Sequence, residues 1–131
     1  MPESSFWQRR RVQTFNELRG ELRQFLAQHG VAPRVSNDLV LATQEAWNNA
    51  CQYGAGVTGC DISVSHVDDT VMIEVADRSG GFDFEAIRAS WPPDVLADGG
   101  RGLFLIAELS DHMEVVQRRQ GTLVRIIKAL D

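Results

Sequence analysis

Three short stretches of this chain hold residue types that do chemistry in combination. In Glu45-Ala46-Trp47-Asn48-Asn49-Ala50 a carboxylate and an amide stand at i and i+4, which places both on one face of a helix. The first can accept a proton, and the second offers a neutral oxygen to a hard cation such as Mg²⁺. In Asp77-Arg78-Ser79-Gly80-Gly81-Phe82 a carboxylate closes the alternating run Val71, Ile73, Val75, so it points toward the apolar side. A carboxylate there is costly unless it accepts hydrogen bonds. Amides of the following turn can donate them, and so can a ligand amine such as the exocyclic nitrogen of adenine. In Gly99-Gly100-Arg101-Gly102, glycines ahead of an apolar helix let backbone amides approach an anion, and Arg101 adds a forked donor for phosphate oxygens.

Other chemistries are absent from the sequence. Gly54-Ala55-Gly56-Val57-Thr58-Gly59 fits the dinucleotide fingerprint, but that loop works only between a strand and a helix. Here it follows a helix and precedes a strand, so it reads as a turn. No serine elbow of the G-x-S-x-G type occurs. His29, His66 and His112 stand far apart in different elements without zinc-ligand spacing, and core or surface roles are expected for them. Lys128 is the only lysine among thirteen Lys and Arg residues, which removes Walker-A and Schiff-base mechanisms unless Lys128 serves them.

The elements that must position these residues follow from periodicity. Phe6–Val12 reads as a first strand, and Arg9-Arg10-Arg11 makes it an edge. Phe15, Leu18, Leu22, Phe25 and Leu26 recur at helical spacing over a helix ending at Gln28, with Thr14 as cap, Glu17 three residues on and Gly30 past the end. Pro33 opens a second helix that runs to Tyr53. On it Asp38, Glu45, Asn48, Asn49 and Gln52 form one polar stripe with no cation to pair the acids. Asp61–Val67 and Thr70–Ala76 alternate as an antiparallel hairpin. Residues 78–100, with a helical piece at Phe84–Ala89, form a functional or disordered loop. Gly102–Leu109 is a short helix, and Met113–Gln117 with Thr122–Leu130 makes a second hairpin. The order is that of an α+β sandwich, helices on one face of a mostly antiparallel sheet.

At 131 residues the chain is a single domain, 1–131, with a core that needs no disulfides. A net charge of −5 argues against direct nucleic-acid binding and against an anionic membrane surface. Arg19, Arg23 and Arg34 read as solvated cations, with a partner surface as the alternative. No apolar run spans a bilayer and the first residues carry no signal pattern, so a cytoplasmic protein with Cys51 and Cys60 as reduced thiols is expected.

In order and separation, the Glu45–Ala50, Asp77–Phe82 and Gly100–Ile106 stretches resemble the N, G1 and G2 boxes of the Bergerat-fold, histidine-kinase-like ATPases. A chain of this length ending in Gly121-Thr122 and a strand is most similar to the anti-sigma-factor serine/threonine kinases. The resemblance covers Thr14 to the end. It implies a two-layer fold, a mixed, mostly antiparallel sheet of four to five strands under three helices, and a homodimer. It further implies ATP and Mg²⁺, with Glu45 as general base, Asn49 on the metal and Asp77 on the adenine amine. Gly81, Gly100, Arg101 and Gly102 would shape the pocket and lid, with Thr122 near the adenine and Asn48, Tyr53, Ser79 and Leu103 beside the nucleotide. The partners implied are an anti-anti-sigma factor as substrate and a sigma factor. Ser79 replaces the first G1 glycine and Tyr53 a common histidine, which leaves the base, metal ligand and adenine acceptor intact. A nucleotide-binding switch without turnover, or a separate histidine-kinase-type catalytic domain, are the other two readings.

Overall fold

The computed structural model describes residues 4–12, 14–50, 60–77, 101–118 and 121–130. In chain order the described elements are strand β1 (Ser4–Val12), helices α1 (Phe15–Gln28) and α2 (Pro33–Ala50), and strands β2 (Cys60–Val67) and β3 (Thr70–Ala76). They are followed by helix α3 (Arg101–Leu109) and strands β4 (His112–Arg118) and β5 (Gly121–Ala129).

The strands form one sheet in the order β1-β2-β3-β5-β4. All four pairings are antiparallel, so the described sheet is antiparallel throughout rather than mixed. β5 inserts between β3 and β4, and β1 is an edge, as its arginines suggested. The helices cover one face. Strand alternation sends Ile62, Val64, Val71, Ile73, Val75, Val124 and Ile126 to that side, where all are buried. The opposite face carries a row of polar residues in register, Gln8, Ser63, Glu74, Arg125 and Glu114. Arg125 ties the row together, 2.9 Å from Glu74 and 3.3 Å from Glu114. These carboxylates hold the Arg125 guanidinium above its ordinary pKa, the Glu74 hydrogen bond contributing most.

α1 forms as its periodicity requires. Phe15, Leu18, Leu22, Phe25 and Leu26 are buried on one stripe. Its first residue follows Thr14, whose backbone is extended but whose hydroxyl makes no capping bond. The expected cap is therefore positional only, and Glu17 supplies the negative charge near the first turn. The carboxyl end closes with a left-handed Gly30 at φ +76°. Gly30 N–H donates to Ala27 C=O at 3.1 Å and Val31 N–H to Leu26 C=O at 3.0 Å, the paired bonds of a Schellman motif, with Val31 buried behind them. This tight exit returns the chain within four residues to Pro33, the first position of α2, where the missing N–H has no cost. α2 then lies between α1, α3 and the sheet.

Candidate functional site

α2 carries the first pair of site residues. Its polar stripe does not behave as a unit. Asn49 is buried, at 5% exposure, while Asn48, one residue earlier, is exposed and Glu45 is half-buried. A 100° step separates the two asparagines, so one turns into the protein and the other toward solvent. The Nδ2 atom of Asn49 has no hydrogen-bond partner among the described residues. A buried amide left short of a partner is costly and marks a place where a ligand can complete the bonding.

Glu45 meets the start of α3. A Cβ built on Gly102 would lie 3.2 Å from Glu45 Oε2 and 3.9 Å from its main-chain oxygen. The glycine thus lets the first turn of α3 press against the carboxylate at a distance that a side chain would contest. Helix amino ends favour anions, so Glu45 occupies ground where phosphate charge is also welcome. Leu103, the next residue, is fully buried and anchors α3 against the core with Ile106. Gly102 and Leu103 therefore stand on one short helix whose inner face is fixed and whose first turn faces Glu45.

Asp77 and Thr122 form the second half. Asp77 follows the last residue of β3 and is 3% exposed; Thr122, on β5, is 1% exposed. The Asp77 N–H donates to Thr122 C=O at 3.0 Å, continuing the ladder by one step. The returning bond, from Thr122 N–H, goes to the Asp77 carboxylate oxygen Oδ1 at 3.1 Å. A side-chain oxygen thus serves where a strand carbonyl would ordinarily accept. The Thr122 hydroxyl donates to Gln117 Oε1 at 3.3 Å. The sequence pattern sent Asp77 inward, as found, and the family resemblance put Thr122 at the same adenine end; the bond between the two, 45 residues apart, is set by the fold.

The expected site residues Tyr53, Ser79, Gly81 and Gly100 lie outside the described residues, as does the side chain of Arg101. So do Cys51, the glycine turn 54–59 and the helical piece 84–89. The structure brings Glu45 to Gly102 and Asp77 to Thr122. The donor set of Glu45 and Asn49, a carboxylate and an amide oxygen, fits a hard cation. No cluster of three or more His, Cys, Asp or Glu able to hold a metal occurs among the described residues, so a cation there would share its coordination with a ligand.

His29 and His66, far apart along the chain, have ring centroids 5.4 Å apart, edge to face. His29 follows the last residue of α1 and hydrogen-bonds Phe25 C=O through Nδ1 at 2.8 Å. It also stacks on the Phe25 ring at 4.3 Å. α1 lies over the sheet, so the end of one and the face of the other meet although 37 residues separate them in the sequence.

A glycine-opened helix faces a glutamate, a buried amide stands one helical turn further on, and an aspartate is tied into the end of the interior strand pair β3/β5. The chain belongs to the histidine kinase-like ATPase family, whose domain model matches residues 9–128, and within it to the serine-protein kinases of the anti-sigma-factor branch. It is similar to the serine-protein kinase RsbW of Bacillus pumilus, 36% identical over 78% of this chain and 74% of that one. Among solved structures, the RsbU and RsbW domains of a Mycobacterium tuberculosis protein superpose with a TM-score of 0.71 at 22% identity. The match covers 96% of this chain and 32% of that chain. The SiaB–SiaC complex of Pseudomonas aeruginosa gives 0.66 at 15% identity, covering 94% and 88%. At these identities the two structures share the fold. No described helix is long and apolar enough to cross a membrane.

Proposed function

We propose that this chain is an ATP-dependent serine/threonine protein kinase that acts as an anti-sigma factor and phosphorylates an anti-anti-sigma partner. The observation that carries the reading is the position of the Glu45 carboxylate, 3.2 Å from where a Cβ on Gly102 at the start of α3 would lie. It sets a proton acceptor beside a helix end suited to phosphate charge. In the reaction the partner's serine or threonine hydroxyl gives its proton to Glu45. Its oxygen then bonds to the γ-phosphorus of ATP, and the bond to the β–γ bridging oxygen breaks with release of ADP. Asp77, held by Thr122 N–H, accepts the adenine amine, and Thr122 lies at that end of the nucleotide. Asn49 would hold Mg²⁺ together with ATP phosphates, where the cation would offset the developing negative charge. Asn48, Tyr53, Ser79, Gly81, Gly100, Arg101, Gly102 and Leu103 complete the nucleotide site.

In this reading the unphosphorylated antagonist takes the kinase and frees the sigma factor, phosphorylation reverses this, each chain is a single domain over 1–131, and two chains pair as a homodimer. The fold's occurrence in RsbW relatives supports the antagonist. The test is incubation with Mg-ATP and a candidate anti-anti-sigma protein, wild type beside Glu45→Ala. Phosphate transfer that falls about 10²–10⁴-fold in the variant, with ATP still bound, supports the assignment. Equal transfer by both removes Glu45 as base. ATP binding with no transfer by the wild type assigns the nucleotide-only switch instead.

A further inference from the structure

Ile62, Val75, Val124 and Val115 stand side by side across four strands and face the helices. Two residues along each strand, the same face carries Cys60, Asp77, Thr122 and Gln117. The first three of these are buried. Gln117 is exposed and lies on the edge strand β4, directly opposite Thr122. The register is closed by the next pair, Arg118 with Gly121. Gly121 has φ +120°, a conformation that favours glycine. The hairpin therefore presents one exposed amide to one buried hydroxyl.

The proton of that hydroxyl has a definite place. A threonine hydroxyl has one proton to give and two lone pairs to receive. Thr122 gives its proton to Gln117 Oε1 at 3.3 Å. With the proton directed to β4, the Thr122 oxygen meets any group beside Asp77 as an acceptor. The Asp77 carboxylate is an acceptor as well, and its Oδ1 already takes the Thr122 N–H at 3.1 Å. Two neighbouring residues thus turn acceptors, and no side-chain donor, toward the same end of the sheet. An ordinary cross-strand pair only adds stability to its hairpin. Here one member is 1% exposed and also carries the bond to Asp77, so the orientation of its hydroxyl bears on the site.

From this arrangement we infer that Gln117 is a positioning residue that sets base selectivity. By holding the Thr122 proton, it makes the pocket accept an amino group and reject a carbonyl at the 6-position of a purine. The inference rests on the proposed nucleotide site, with Asp77 and Thr122 at the base, and adds to it a residue outside that site. A 6-amino purine brings two N–H donors to a pair of acceptors. A 6-oxo purine brings a carbonyl oxygen instead, and acceptor then faces acceptor with no proton between them. Sites whose buried polar groups a ligand cannot complete discriminate strongly against that ligand. Without Gln117 the hydroxyl is free to turn and donate to the carbonyl, which removes part of the penalty.

The experiment is titration calorimetry of the full chain with Mg-ATP and with Mg-ITP, the 6-oxo analogue. The proteins compared are wild type, Gln117→Met, Gln117→Glu and Asp77→Asn. Methionine keeps the length of the side chain without the amide oxygen, whereas a glutamate carboxylate can only accept. Expected is a wild type that prefers ATP, with the ratio of the ITP Kd to the ATP Kd falling about tenfold in Gln117→Met. Gln117→Glu keeps the wild-type ratio. The melting temperature without nucleotide stays the same in both, because position 117 is exposed on an edge strand. A structural role alone would leave the ratio unmoved. An unchanged ratio in Gln117→Met overturns the inference, as does Gln117→Glu relaxing selectivity as far as Gln117→Met. Preference lost in Asp77→Asn but intact in Gln117→Met keeps the nucleotide site and sinks Gln117 alone. A wild type that binds neither nucleotide, or both equally, sinks the base assignment and this inference together.

Discussion

Asp77 offers the sharpest test of the site, because the fold engages one of its oxygens and the proposed adenine contact falls to the other. Oδ1 accepts the Thr122 N–H at 3.1 Å in a place only 3% exposed. In Asp77→Asn the amide oxygen can keep that bond, which directs the NH₂ group to the position of the other carboxylate oxygen. Two donors then confront each other when an adenine amine approaches. The loss is that of a hydrogen bond to a charged group, about 1.5–3 kcal/mol, or roughly ten- to 150-fold in Kd for ATP. Thermal stability should change little. Asp77→Ala differs in kind, since it strands the Thr122 N–H in the interior and costs about 1–3 kcal/mol of stability as well. Titration calorimetry with ATP, beside denaturant melts of all three proteins, separates the two effects. Wild-type affinity in Asp77→Asn, with the fold intact, would refute the adenine assignment and leave Asp77 as a strand terminator.

Further outcomes follow from other contacts. Gly102→Ala puts a methyl 3.2 Å from Glu45 Oε2, so the carboxylate must shift by tenths of an ångström. Phosphate transfer should fall about tenfold with ATP affinity nearly unchanged, as steady-state kinetics would show. Glu21 has its pKa lowered, first by the hydrogen bond from Arg9 and also by that residue's charge, while burial opposes. The folded-state pKa is below the unfolded one, so this tie between β1 and α1 is present at neutral pH and is lost as pH falls through the lowered value. Carboxyl NMR titration of Glu21 in wild type and Arg9→Gln checks it, the variant titrating nearer the ordinary glutamate range. Leu22 is fully buried on α1; Leu22→Ala should cost about 2–5 kcal/mol in a urea melt.

Periodicity alone makes the helices and strands legible here. α1 buries the five apolar residues its spacing selects, and β3 buries Val71, Ile73 and Val75. These patterns are local, since an amphipathic helix or half-buried strand writes its inward face into neighbouring residues. The inward turn of Asp77 was readable for the same reason. The cap at Thr14 was not, because residue type says which hydroxyl can bond and leaves open whether it does.

By itself, the sequence determined the element order, the buried faces and the proximity of Glu45 to Asn49, all of which depend on the few residues nearest along the chain. Tertiary structure decided the rest. It chose β3 as the neighbour of β5, and so joined Asp77 to Thr122; it turned Asn49 inward and Asn48 outward; it brought His29 to His66. It also laid α1 against α2 so that Arg19 donates to Gln44 and Arg23 to Asn37. Each of these is a meeting of surfaces distant in the chain, set by how whole faces pack and cover one another. No short-range period encodes which face meets which.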